Sequence, residues 1–156
     1  VPAFLGLGAP AWDFGARATV LGISRGAGKD ALVRAVLEGV AQRGADLVEA
    51  AEKDSGMRIE RVRVDGGMTS NSVFVQALAD ACARPVEVSA EREATALGAG
   101  YLAGLAIGTW RDEDDVAAAW SPAAVVEPAG PPRRERWAEA IGRAKTWLAD
   151  LSAVQF

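Results

Sequence analysis

The segment Val62-Arg63-Val64-Asp65-Gly66-Gly67-Met68-Thr69-Ser70-Asn71 gathers the residue types with the clearest chemical potential in this chain. An alternating apolar and basic stretch ends in Asp65, and two glycines and a polar helix start follow. Two residues without Cβ let a flat ligand lie against the backbone and allow positive φ. The helix after them offers unpaired N–H groups and the positive end of its dipole. Asn71 sits where a side-chain amide could reach a purine edge or a ribose. The same residues also suit a tight strand-to-helix turn with Ser70 or Asn71 as N-cap, a packing device common in α/β folds.

Other stretches fail on spacing or context. Ser24-Arg25-Gly26-Ala27-Gly28-Lys29-Asp30 looks like a P-loop, but Gly22 and Gly28 have five residues between them rather than four. Asp30 also replaces the Ser or Thr that would meet magnesium. Gly98-Ala99-Gly100-Tyr101-Leu102-Ala103 fits G-x-G-x-x-A, but lies inside an apolar helical run instead of between a strand and a helix start. The acids Asp112 to Asp115 point different ways along the chain and lack the Gly and Glu of a calcium loop, so a solvated turn or helix start is expected. Cys82 falls on the apolar face of its helix and reads as an inert core residue. The five tryptophans are scattered, so packing is their default role.

Composition narrows the chemistry further. The 156 residues suit one medium domain or one lobe of a larger protein. A net charge of -4 argues against a nucleic-acid binder that works by neutralising phosphates. The absence of histidine removes His-based triads, bases and metal sites. One cysteine excludes an internal disulfide and a Cys-cluster zinc site, and fits a reducing cytoplasm. No membrane segment is expected, because the apolar stretch from Ala94 to Ile107 is too short to span a bilayer. The chain opens in apolar sequence with no Met, which suggests a piece of a longer protein.

These motifs need a scaffold, and the hydrophobic pattern supplies one. Ala18 to Ile23 reads as a strand. From about Lys29, Leu32, Val33, Val36, Leu37, Val40 and Ala41 follow helical spacing until Gly56. Ile59 to Val64 alternates as a strand with Arg61 and Arg63 on one face. A second helix is predicted over about 70–83, a short strand at Pro85 to Val88, and a third, buried helix over about 91–105. This order implies an α/β domain with parallel strands. Pro122 to Pro132 carries four prolines and reads as a linker. Arg133 to Leu151 reads as one amphipathic surface helix that packs back on the domain. The expected division is residues 1–110 for the main domain and 111–156 for the linker and tail.

Four of these motifs, in order, resemble the FGGY carbohydrate kinases. Gly6-Leu7-Gly8-Ala9-Pro10-Ala11-Trp12-Asp13 resembles the Gly-Leu-Gly-Ala-Pro-Tyr-Trp-Asp stretch of the glycerol-kinase branch, with Ala11 in place of Tyr. Gly22-Ile23-Ser24-Arg25-Gly26 with Ala35-Val36-Leu37-Glu38-Gly39 is similar to the family's second signature, with Ala31 at a usually polar position. Arg63 to Gly67 resembles its adenosine motif. Glu93 to Gly104 resembles the helix beyond it.

The resemblance implies an actin-like, ribonuclease H-like ATPase fold, here as the C-terminal portion of a two-domain sugar kinase. It implies transfer of the γ-phosphoryl of ATP to a polyol with magnesium, glycerol being favoured by the first motif. Gly66, Gly67 and Asn71 match the positions at or beside the adenine nucleotide; Ser72 stands where a second Asn is usual. The phosphate loops, the catalytic Asp, the magnesium ligands and most polyol contacts would lie before Val1, so this chain alone is expected to be inactive. A cytoplasmic homo-oligomer that binds ATP or ADP, and neither nucleic acid nor membrane, completes the expectation. Competing readings are a kinase for another polyol or pentulose, a non-catalytic actin-like module, and a dinucleotide-binding oxidoreductase. The last would need its glycine motif directly after the first strand, where there is none.

Overall fold

The computed structural model describes residues 1–153. A glycine-rich N-terminal segment leads into helix α1, Lys29–Ser55. There follow strand β1, Val62–Val64; a 3-10 turn, Gly67–Ser70; helix α2, Ser72–Cys82; and strand β2, Val86–Ser89. Helix α3 spans Ala94–Ala106, helix α4 Glu113–Ala119, strand β3 Pro122–Val126, helix α5 Arg134–Ala144 and helix α6 Ala149–Ser152. Among the described residues no helix is long and apolar enough to cross a membrane.

The sheet runs β1-β2-β3. β1 and β2 are parallel, with Val62 opposite Val86 and Val64 opposite Val88. The valines of both strands face a core built from Ala41 and Ala45 of α1, Val75, Leu78 and Ala79 of α2, and Val86. Small residues set how closely the two helices approach: a Cβ on Gly44 would lie 2.8 Å from Leu78 Cδ1. Arg84 ties two helices and the segment before β1 at one end of this core. It donates to Glu52 Oε1 and to the Ile59 carbonyl, both at 2.6 Å, and to the Cys82 carbonyl at 2.9 Å. Cys82 is buried, and burial raises its thiol pKa, as suits an inert core residue.

Four expectations are corrected. Pro122–Val126 is an antiparallel strand on β2 and not part of a linker. Pro122 opens the strand, where proline is tolerated, and Val125 and Val126 continue it opposite Glu87 and Val86. Asp80 then pins the following loop through the backbone N–H groups of Ala129 and Gly130, at 2.7 and 2.9 Å. Ala18 to Ile23 forms no strand. It makes one reciprocal backbone pair, Thr19 with Val1, and beyond that no strand among the described residues lies alongside it.

The third helix exists but is not buried. Leu102 is 70% exposed, and Gly104, against Trp110, is the buried residue. Its composition suits close packing, yet no described element covers it. The tail is not one helix either. It breaks between Ala144 and Ala149, where Thr146 takes φ 55° and gives its N–H to Asp13. Trp137 and Ala144 are buried on the inner face of α5, while Leu148 stands at the N-cap position of α6 and is exposed. Residues 154–156 of the expected tail lie outside the described residues.

Candidate functional site

β1 delivers the chain to Asp65 and then to Gly66, whose backbone has φ 88° and ψ 179°. That region is essentially closed to side chains with a Cβ. The 3-10 turn from Gly67 is tied by its own hydroxyls: Thr69 Oγ1 donates to the Gly66 carbonyl at 2.7 Å and Ser70 Oγ to the Gly67 carbonyl at 2.8 Å. Asn71 then caps α2, accepting at Oδ1 from the N–H groups of Val73 and Phe74 at 3.0 and 3.1 Å. Helix α2 therefore starts at Ser72 and not at Ser70.

The cap uses one atom of the Asn71 amide. Asn71 Oδ1 is committed to the helix, and Nδ2 has no protein partner among the described residues. A Cβ built on Gly66 or Gly67 meets nothing within 4 Å, so open space lies over both. Gly66, Gly67 and Asn71 thus sit on one turn with a free amide donor and room beside the backbone. Ligands in α/β sheets bind outside the carboxyl ends of strands, and this turn is at such an end.

The sheet brings further residues to the same end. Ser89 closes β2 there, and because β3 is antiparallel with Pro122 opposite Ser89, Trp120 lies there too. Arg63 stacks its guanidinium 3.9 Å from the Trp120 ring centroid. Glu87, opposite Arg63 in the register, is 6% exposed and accepts from Arg61 at 3.0 Å and Arg63 at 3.1 Å. Burial pushes the Glu87 carboxyl pKa up, but the two guanidinium groups outweigh it and hold the pKa below the ordinary value. Alternation predicts the shared face of Arg61 and Arg63. Their partners come from other elements and carried no signal in the segment itself.

The remaining candidates do not join this site. Asp112 caps α4 through the Asp115 N–H at 3.0 Å, and Asp115 pairs with Arg111. Among the described residues no group of three or more His, Cys, Asp or Glu is gathered as a metal site. Gly28 is the N-cap residue of α1. A separate apolar cleft of about 570 Å³ is lined by residues including Val1, Phe4, Val20, Leu32 and Val36.

A parallel pair joined through a glycine turn and a capped helix, with an antiparallel third strand, has the architecture of the actin-like ATPase-fold sugar kinases. Residues 1–107 match the C-terminal domain of the FGGY family of carbohydrate kinases, and the chain belongs to that family. It is 47% identical over 152 residues to glycerol kinase 2 of Thermotoga maritima, covering 94% of this chain and 31% of that protein. It is 46% identical over 158 residues to glycerol kinase of Deinococcus radiodurans, covering 98% of this chain and 32% of that protein. The crystal structure of Plasmodium falciparum glycerol kinase with ADP superposes with a TM-score of 0.76 at 32% identity, over 100% of this chain and 31% of that one. Xylulose kinase from Rhodospirillum rubrum gives 0.71 at 29%, over 97% and 30%. The chain thus spans about a third of the length of these relatives.

Proposed function

We propose that this chain supplies the adenine-nucleotide side of the cleft in an ATP-dependent polyol kinase that converts glycerol to glycerol 3-phosphate. The observation that carries the reading is the turn itself. Gly66 and Gly67 leave the backbone open to a flat ring, and Asn71 keeps its Nδ2 free while Oδ1 caps α2. ATP or ADP would lie against Gly66 and Gly67 and accept a hydrogen bond from Asn71. The identity to glycerol kinases, at 46–47%, supports glycerol over the pentulose of the xylulose kinase neighbour, at 29%.

The chain's part in the reaction is to bind and orient. Phosphoryl transfer needs magnesium, phosphates and acceptor hydroxyl held together. In this reading the magnesium ligands, the base and most polyol contacts belong to the rest of the kinase, as the family resemblance implies. In this reading residues 1–110 form the lobe, and residues 111–156 its strand and helical tail. Alone, the chain binds nucleotide weakly or not at all and does not turn over. The complete kinase is a cytoplasmic homo-oligomer, as the family resemblance implies.

The test is ATP-dependent glycerol phosphorylation by the full-length protein, with nucleotide affinity measured for Asn71→Asp. This variant keeps the capping oxygen and removes the amide donor. Turnover with glycerol and a weakened ATP affinity in the variant support the reading. Turnover with another polyol alone would displace glycerol, and unchanged ATP affinity would remove Asn71 from the site.

A further inference from the structure

We propose that Arg63 is a positioning residue for the nucleotide turn, clamped between the Trp120 ring and the Glu87 carboxylate. The inference rests on the nucleotide reading of that turn. β1 is three residues long and, among the described residues, pairs with β2 alone, so its ladder is short. A slip of one residue would turn every β1 side chain to the other face and shift Gly66 and Gly67. Arg63 lies two residues before Asp65 and three before Gly66, and is held from two directions. Its Nε donates to Glu87, the register partner on β2, at 3.1 Å. Its Cζ lies over the ring of Trp120, two residues before β3, 3.9 Å from the ring centroid.

The clamp therefore links β1 to β2 and to the approach of β3, at the sheet end that carries the turn. An exposed ion pair alone would be worth little. Here Glu87 is buried, and the stack adds an element that an ammonium does not reproduce, because a flat guanidinium can stack and hydrogen-bond at once. Asn71 and the glycines would touch the nucleotide; Arg63 would fix where they stand.

The experiment compares Arg63→Ala, Arg63→Lys, Trp120→Ala and Trp120→Phe in the full-length protein. KM for ATP and for glycerol, thermal midpoint, and hydrogen exchange of the peptide covering residues 64–72 are read for each. The expected result is a rise of about two- to fivefold in KM for ATP for Arg63→Ala and Trp120→Ala, the fold-change of one such stack. KM for glycerol stays unchanged, and exchange is faster in residues 64–72 but not in α1. Trp120→Phe restores most of the ATP affinity and Arg63→Lys restores less. Unchanged exchange and KM for ATP in Arg63→Ala would overturn the proposal. So would an equal loss for both substrates accompanied by a fallen thermal midpoint. If Arg63→Ala does not fold, Trp120→Ala, which leaves the Arg63–Glu87 pair, gives the same reading. A wild-type protein that phosphorylates no polyol would sink the kinase reading, and the exchange of residues 64–72 would then decide the clamp by itself.

Discussion

The hydroxyl of Ser152 donates to the carboxylate of Asp13 at 2.6 Å, joining residues 139 positions apart. Asp13 is buried and takes three more bonds: from the N–H groups of Gly15 and Ala16 at Oδ1, and from Thr146 at Oδ2. One carboxylate thereby orders the N-terminal loop and docks the broken tail onto it. Gly15 takes part as well, its carbonyl accepting from the Leu148 N–H at 2.9 Å.

Asp13→Ala should cost about 2–3 kcal/mol, because it strands several donors that a charged acceptor satisfied. The wild-type interaction also has a pH signature. Burial raises the Asp13 pKa, but the four hydrogen bonds outweigh it, and the net value lies below the ordinary 3.8. A depressed carboxylate contributes stability fully above the ordinary value, and that contribution drains away as pH falls through the folded value. Urea midpoints from pH 6 to pH 2.5 should converge for wild type and Asp13→Asn at the acid end. Parallel curves would refute this.

At Asn71 the observed cap and the proposed nucleotide contact would share one amide. Asn71→Ala should cost about 1 kcal/mol through loss of the cap. Asn71→Asp should hold stability near wild type, because Oδ1 is the atom that α2 uses. Chemical denaturation of the two variants separates the cap from any effect on nucleotide.

Gly66 and Gly67 should behave differently despite being neighbours. Gly66→Ala places a Cβ at φ 88° and ψ 179°, at a cost of about 1–3 kcal/mol. Gly67 lacks positive φ and has open space above it, so Gly67→Ala should stay within about 0.5 kcal/mol of wild type. If a nucleotide lies there, Gly67→Ala should still weaken binding of ADP, read by titration. A stability loss as large as that of Gly66→Ala would contradict the geometry.

Asp46 holds the tail to α1. It accepts from Arg134, from Arg43, and from Trp137 Nε1 at 2.9 Å. Asp46→Ala should cost about 1–2 kcal/mol: Trp137 Nε1 loses its acceptor and two guanidinium groups lose a charged partner, while Arg134 keeps Glu49 and Gln42 and Arg43 keeps the Ala9 carbonyl. Glu38→Ala, which breaks an exposed pair with Arg34, should change stability by about 0.5 kcal/mol or less. Thermal unfolding of the pair checks the contrast.

The legible parts of this fold were those governed by local rules. The glycine pair after an alternating strand announces the turn, and apolar spacing gives α1, with Gly56 ending it at φ 68°. The exact helix start was ambiguous because Ser70 and Asn71 are both good caps; the hydroxyl bonds of Thr69 and Ser70 decide it by closing a 3-10 turn first. What stayed hidden depends on distant residues. Pro122 masks a strand that exists because β2 offers an edge. The break at Thr146 follows from Asp13, far away in the chain. The exposure of α3 is set by which surfaces surround it, and its own sequence, being small and apolar, reports only the surface it suits. Arg63 showed its face in the alternation, but not the ring of Trp120 that it meets.

The spatial order of the strands equals their order along the chain. Each pairing can then close over a modest loop, and α2, between β1 and β2, already packs on α1. Loop-closure entropy grows with separation, so these pairings should be the early events of folding. The clasp between the N-terminal loop and the tail spans nearly the whole chain and should form last. Changes in that clasp should therefore quicken unfolding while leaving the folding rate almost untouched, a division visible as one displaced arm of a chevron plot.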